Sequence, residues 1–295
     1  MTFITIKDLS NTIRENLYKI PHDIDVVVCI PRSGTLAGTI ISEFLNKPMT
    51  DLTTFINGNF SGEGGGRFKK FGKHTGNSRP KILIVDDTVW AGGSKVEAKS
   101  KLKELSKDFD FLYLVVYLEG PAANSVDIYL ENVQKYTNGF TYPVIYEWNI
   151  FHHYATEGFL CDMDGILCKE PPDERNTSEY ETYIQNAIPL ITPTAPIGGI
   201  VTYRLEKYRN ITKEWLSKNQ IEYRNLYMFN ANSWSERHDI GISPEEYKSS
   251  IYRNSHARLF LESNKYQAEE IFKKTGKPVY CYENNIMYGN EYRSM

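Results

Sequence analysis

The sequence predicts an α/β protein built from two parallel-sheet domains, and three observations carry that prediction. Short apolar runs alternate with segments of helical period, the pattern of βαβ units. The alternation runs through the first half of the chain and restarts in the second. A length of 295 residues suits two domains of about 150 each.

In the first half, Ile6 to Leu17 reads as a helix and Asp25 to Ile30 (DVVVCI) as a buried strand. Leu36 to Leu45 reads as a helix, Ile82 to Val85 as a strand, Ser94 to Leu105 as a helix and Phe111 to Leu118 (FLYLVVYL) as a strand. Before the second strand, Asn57 to Gly76 holds 7 of the 20 glycines. Its continuation is basic, with Arg67, Lys69, Lys70 and Lys73 and no acid between Gly64 and Lys81. A stretch with so few packing side chains reads as a loop, about 57–81, of the kind that covers a site.

The second half begins with a strand at Gly158 to Cys161 and another at Ile197 to Val201, followed by a helix from Arg209 to Lys218. Leu226 to Phe229 and Ala257 to Leu261 read as strands, Gln267 to Lys274 as a helix and Pro278 to Cys281 as a last strand. The boundary falls after the strand YPVIYEW, which gives domains of 1–155 and 156–295. Only about thirty residues separate Leu167 from Ile197, room for a minimal cap.

Composition narrows the function. Hydrophobic residues at 41% and charged residues at 24% exclude collagen-like and largely disordered chains. Residues 1–155 carry 17 basic and 17 acidic side chains and the rest 17 and 20, so neither half resembles a duplex nucleic-acid binder. No apolar run is long enough to span a bilayer and the N-terminus lacks a leader pattern, so a cytoplasmic protein is expected. Cys29, Cys161, Cys168 and Cys281 have no CxxC spacing and read as reduced core thiols.

Two constellations carry chemistry. In ILIVDDTVWAGGS, a strand ends in Asp86 and Asp87, and the turn Ala91, Gly92, Gly93, Ser94 opens a helix. Acids at the carboxyl end of a parallel strand face the crevice where open α/β sheets bind ligands. Amides at a helix start suit a phosphate. CIPRSGTLAG is a second strand, loop and helix, with Arg32, Ser33 and Gly34 in the loop.

In GFLCDMDGILC, a buried strand runs into Asp162 and Asp164. Asp162 can serve as a carboxylate nucleophile and Asp164 as its acid/base partner. Thr202 ends a later strand and can bind a phosphate oxygen, Lys248 can neutralise a phosphoaspartate, and Glu262 can hold Mg²⁺. Arg204 and Arg209 are candidates to extend the phosphate site.

The first constellation resembles the type I phosphoribosyltransferase family, over roughly residues 20 to 120. The resemblance implies that Asp86 and Asp87 engage the ribose hydroxyls of phosphoribosyl pyrophosphate (PRPP), Ala91 to Ser94 its 5-phosphate, and Arg32 to Gly34 its pyrophosphate. It places Arg67, Lys69, Lys70 and Lys73 in a flexible hood. Trp90 departs from the family, which often has Thr there, so that position offers the phosphate no hydroxyl and leaves the backbone donors of Gly92, Gly93 and Ser94.

The second constellation resembles the haloacid dehalogenase (HAD) phosphatase superfamily across residues 156–295. The resemblance implies a phosphoaspartate on Asp162, acid/base work by Asp164, and Mg²⁺ bound by Asp162, the Asp164 backbone carbonyl and Glu262. Ser263 or Asn264 stands where a second carboxylate often occurs. Both resemblances imply Rossmann-like domains, with Mg²⁺ in each.

Together they resemble the two-part systems that install ribofuranose in bacterial polysaccharides. The expected function is transfer of 5-phosphoribosyl from PRPP to a glycan or lipid-linked glycan acceptor, giving a β-ribofuranosyl product, and removal of its 5-phosphate. Two alternatives stand beside it: nucleobase salvage coupled to a nucleotidase, and a PRPP-binding regulator. A homodimer stays open.

Overall fold

Each buried strand expected from the sequence is present, and each sits in a sheet with more strands than the apolar runs indicate. The computed structural model describes residues 1–58, 79–120, 126–136, 144–173, 175 and 177–293. The basic loop side chains Arg67, Lys69, Lys70 and Lys73 lie outside the described residues. The chain forms two units, Ile4–Val144 and Met1–Phe3 with Ile145–Met295.

The strand Phe3–Ile4 (β1) precedes the first helix, α1 (Ile6–Glu15). Thr5 caps α1 in a capping box, its hydroxyl taking the Asp8 amide while the Asp8 side chain takes the Thr5 amide. The first unit then runs β2 (Val26–Cys29), α2 (Ser33–Leu45), β3 (Met49–Asp51), α3 (Leu52–Ile56), β4 (Lys81–Val89), α4 (Gly93–Leu102), β5 (Asp110–Leu118) and β6 (Ile128–Asn132). Its five strands lie in the order β3-β2-β4-β5-β6, all parallel. Val26, Val28, Ile82 and Ile84 on one sheet face bury against Phe55, Ala98 and Leu102 of α3 and α4.

The second unit contains β7 (Ile145–Tyr146), β8 (Phe159–Cys161), α5 (Thr177–Asn186), β9 (Ile197–Leu205), α6 (Arg209–Lys218), β10 (Tyr223–Phe229), α7 (Trp234–Ile240), α8 (Pro244–Asn254), β11 (Leu259–Glu262), α9 (Lys265–Thr275), β12 (Val279–Cys281) and β13 (Ile286–Tyr288). Its six-stranded sheet has the order β10-β9-β8-β11-β12-β13, parallel except for β13. Helix α8 starts at a capping box of Ser243 and Glu246 with Pro244 in its first turn, which fixes where Lys248 leaves the backbone.

Three differences from the sequence reading have physical reasons. Residues 145–155 pack with the second unit because Ile145, Ile150 and Phe151 join the core of Phe159 and Cys161. Strand β4 continues through both acids to Val89, because the long apolar β5 carries the ladder on through Asp86 opposite Val115 and Thr88 opposite Tyr117. The segment between Leu167 and Ile197 supplies α5, whose Tyr180 meets Tyr208 with ring centroids 5.4 Å apart. Among the described residues, no helix is long and apolar enough to cross a membrane.

Candidate functional site

In the first unit the two strand-loop-helix segments meet at the carboxyl ends of β2 and β4. Arg32 is exposed at the start of α2, Ser33 opens that helix, and Gly34 is buried against β4. A Cβ on Gly34 would stand 2.9 Å from the Val85 carbonyl oxygen and 3.0 Å from Asp86 Oδ1, so only glycine permits the approach. The strand neighbours bring Arg32 to Gly34 beside Asp86 although more than fifty residues separate them in the chain.

Asp87 is buried and Asp86 half-buried. Burial, and next the Asp87 charge, push the Asp86 carboxyl up to about 8. The Asp87 amide donates to Asp86 Oδ1 at 3.0 Å and the Thr88 amide to Asp87 Oδ1 at 3.0 Å, which fixes both carboxylates. Beyond them a cavity of about 250 Å³ is lined by Asp86, Thr88, Trp90, Ala91, Gly92, Gly93, Lys95 and Tyr113, among others.

The cavity opens onto the start of α4. The Val96 amide is bonded to the Gly92 carbonyl at 3.1 Å, which leaves the first-turn amides before it without helical partners. No side chain of the Gly92 cap takes them. Ser94 contributes a backbone position in this turn. Trp90 is 59% exposed and supplies no equivalent of a threonine hydroxyl.

Lys95 carries no signal in the sequence, where it stands in the charge-rich stretch KVEAKSK of the expected helix. It is 8% exposed, and its ammonium lies 5.0 Å from the centroid of the Tyr113 ring. Burial lowers its pKa, Asp127 opposes that shift and Lys99 reinforces it.

In the second unit, Asp162 follows the end of β8, Glu262 ends β11 and Lys248 reaches them from α8. Lys248 Nζ donates at 2.8 Å to Asp162 Oδ2, to Glu262 Oε2 and to Gln267 Oε1. All three charged residues are buried. Burial and then the Glu262 charge raise the Asp162 carboxyl, with Lys248 acting against both. Burial alone would lower Lys248, but the two carboxylates outweigh it and keep the ammonium charged. Ser263 Oγ donates to Asp162 Oδ2 at 3.2 Å.

Asp164 is held differently. Arg204, 2% exposed, places Nε 3.0 Å from Asp164 Oδ2 and Nη2 2.5 Å from Oδ1. Tyr183 adds its hydroxyl at 3.1 Å and Cys168 its thiol at 3.3 Å. Burial favours the neutral acid, yet Arg204 and these donors prevail and hold Asp164 below the ordinary carboxylate range. Gly165 follows at φ +81°, and a Cβ there would stand 2.3 Å from Glu170 Oε1. Thr202 is buried, and its hydroxyl accepts the Arg204 amide at 3.2 Å.

A second cavity, about 210 Å³, is lined by Asp162, Asp164, Glu170, Arg204, Lys248, Ser263 and Gln267, among others. The two arginines considered as phosphate contacts separate here. Arg204 lines this cavity, whereas Arg209 pairs with Glu206 and the Leu226 carbonyl.

A divalent cation finds no ready place between these side chains. Among the described residues, no group of three His, Cys, Asp or Glu side chains could hold a metal ion. Lys248 bridges Asp162 and Glu262, while Arg204 takes both oxygens of Asp164. The two side chains of the expected Mg²⁺ set, Asp162 and Glu262, are both held by the Lys248 ammonium, and no step proposed for this unit runs through a metal.

Gln267, Glu170 and Tyr183 complete this site without a mark in the sequence, beside Ser263, which the sequence does single out. Arg204 has a readable signal, since two residues along a strand place it on the face of Thr202. Gln267 and Tyr183 arrive from helices packed against the sheet, and no local pattern distinguishes them.

No protein-family model matches the sequence, and no curated protein matches it. Among solved structures, the chain is similar to the xanthine-guanine-hypoxanthine phosphoribosyltransferase of Helicobacter pylori, at 14% identity and a TM-score of 0.35 over 50% of this chain and 93% of the other. It is similar to the orotate phosphoribosyltransferase of Aeropyrum pernix, at 14% identity and a TM-score of 0.32 over 45% and 75% of the two chains. The purine phosphoribosyltransferase of Pyrococcus horikoshii matches at 15% identity and a TM-score of 0.30 over 50% and 94%.

Proposed function

We propose that the Ile4–Val144 unit transfers 5-phosphoribosyl from PRPP to an acceptor and that the Ile145–Met295 unit removes the 5-phosphate through Asp162. The observation that carries the reading is the approach of Gly34 to Asp86, which brings the Arg32 loop beside the acid pair of the neighbouring strand, from which the glycine turn follows. In this reading Asp86 and Asp87 accept the ribose hydroxyls, the first-turn amides of α4 bind the 5-phosphate, and Arg32 to Gly34 hold the pyrophosphate. Cationic groups beside the pyrophosphate stabilise charge as it departs and the sugar becomes oxocarbenium-like.

In the second unit the Asp162 carboxylate attacks phosphorus, the P–O bond to ribose breaks, and the ribose oxygen leaves with the electron pair and takes its proton from solvent water. Lys248, bonded to Asp162 Oδ2, offsets the charge of the resulting phosphoaspartate. The arginine-held Asp164 is ionised, the state that can accept a proton from the water that hydrolyses this intermediate. The shared intermediate is the reason to place both activities on one chain: the first product carries the phosphate that the second removes. A glycan acceptor and a β-ribofuranosyl product are the preferred form, in keeping with the family resemblance.

Phosphorus NMR of the Asp162→Asn chain with PRPP and Mg²⁺ tests the reading, with lipid-linked glycan extract and a nucleobase mixture as parallel acceptors. Pyrophosphate and a new phosphomonoester with glycan alone support it. The same signals with bases alone move the protein to nucleotide metabolism, and no pyrophosphate with either removes the transferase assignment.

A further inference from the structure

Resting on that reading, we infer that Lys95 binds the 5-phosphate of the phosphoribosyl group, supplying the side-chain donor that Trp90 cannot provide. Three observations carry it. Lys95 is more than nine-tenths buried and lines the cavity that contains Asp86, Gly92 and Gly93. Among the described residues its ammonium makes no ion pair with a carboxylate; it lies 5.0 Å from the centroid of the Tyr113 ring, which Lys99 shares at 5.2 Å. It leaves the first turn of α4, where backbone amides already lack helical partners.

A largely buried lysine with no carboxylate bonded to its ammonium keeps that charge available to a ligand in the cavity. The charged groups nearby are Asp127, which favours the ammonium, and Lys99, which opposes it. A phosphate dianion at the helix start would satisfy Lys95 and the free amides together. Within a largely apolar lining the cavity offers the Asp86 carboxylate as an acceptor and Lys95 as a donor. That order matches a sugar with free hydroxyls and a phosphate ester, and does not match pyrophosphate, which has no hydroxyl to offer an acid.

The test is titration calorimetry on the full chain with PRPP, ribose 5-phosphate and pyrophosphate as separate probes, comparing the natural protein with Lys95→Met and Lys95→Arg. Removing one charge-assisted hydrogen bond weakens binding by about 10- to 100-fold. Lys95→Met should show that weakening for PRPP and ribose 5-phosphate, keep pyrophosphate affinity, and melt at or above the natural temperature, since a buried charge has been removed. Lys95→Arg should recover part of the affinity. Unchanged ribose 5-phosphate affinity in Lys95→Met, with a natural protein that binds PRPP, overturns the lysine assignment and leaves the proposed function standing. Equal losses for pyrophosphate and ribose 5-phosphate also overturn it. A natural protein that binds neither PRPP nor ribose 5-phosphate overturns the transferase reading first, and this inference with it.

Discussion

Lys248 places its ammonium nitrogen 2.8 Å from Asp162 Oδ2, and the same nitrogen lies 2.8 Å from Glu262 Oε2. One cation therefore serves two carboxylates, all of them buried. Removing it leaves two charges with no counter-ion in a low-dielectric interior. Lys248→Met is expected to cost ~3–5 kcal/mol of stability, the usual range for breaking a buried pair, and to abolish the proposed phosphatase turnover. Adding Glu262→Gln to Lys248→Met should recover part of the stability without recovering turnover, because the two groups are coupled. Denaturant unfolding of the single and double variants reads this directly, and a Lys248→Met midpoint equal to the natural one would show that the pair carries no such load.

Arg204 and Asp164 form the other buried pair, and here the fork geometry matters. Two nitrogens of one guanidinium meet two oxygens of one carboxylate, an arrangement that a lysine cannot reproduce. Arg204→Lys should therefore behave closer to Arg204→Met than to the natural protein, with Arg204→Met costing ~3–5 kcal/mol. The proposed phosphatase activity should fall in both, since Asp164 loses the partner that orients it. Melting curves and turnover of a generic phosphoester measure the two effects, and a fully active Arg204→Lys would show that single-point neutralisation suffices.

Much of this arrangement is legible in the chain because strand-loop-helix units write their sites at strand ends. The apolar runs before Asp86 and before Asp162 locate both acids, and Lys248 and Glu262 follow from their order along the chain. What stays hidden depends on neighbours rather than on local pattern. Strand β4 passes through Asp86 and Asp87 because β5 continues beside it, a fact that four apolar residues cannot announce. Lys95 stands in a run of charged residues whose burial is decided by where Tyr113 lies on the next strand. The ion pair of Arg204 needs the tertiary position of Asp164, forty residues earlier.

Asp86 links the first site to pH. Its carboxyl is raised in the folded chain from the ordinary 3.8 to about 8, by burial first and then by the Asp87 charge. Between those values the folded state holds a proton that the unfolded chain has released, so this group's contribution to stability falls as pH rises through the window. Asp86→Asn cannot titrate there and should show a flatter decline. The readout is the difference in melting temperature between the two proteins across that window, which cancels the other titrating groups. Parallel curves for the two would mean that Asp86 ionises as an ordinary carboxylate.

Gly34 gives the sharpest separation of the two proposed activities. A methyl group there would stand 2.9 Å from the Val85 carbonyl oxygen and 3.0 Å from Asp86 Oδ1, one contact with backbone and one with a fixed carboxylate. Neither neighbour can yield cheaply, so α2 must move away from β4, at a cost of ~1–3 kcal/mol as in other overpacked sites. The shift would carry Arg32 and Ser33 away from Asp86, so Gly34→Ala should lose phosphoribosyl transfer. Asp162 and Lys248 belong to the other unit, and phosphatase turnover should persist. Gly93→Ala is the contrasting variant, because a Cβ there meets nothing within 4 Å and alanine favours the helix, so its melting temperature should match or exceed the natural one. Assaying both activities beside the melting curves decides the matter: a Gly34→Ala chain that retains transfer would show that the approach of α2 to β4 does not build the site.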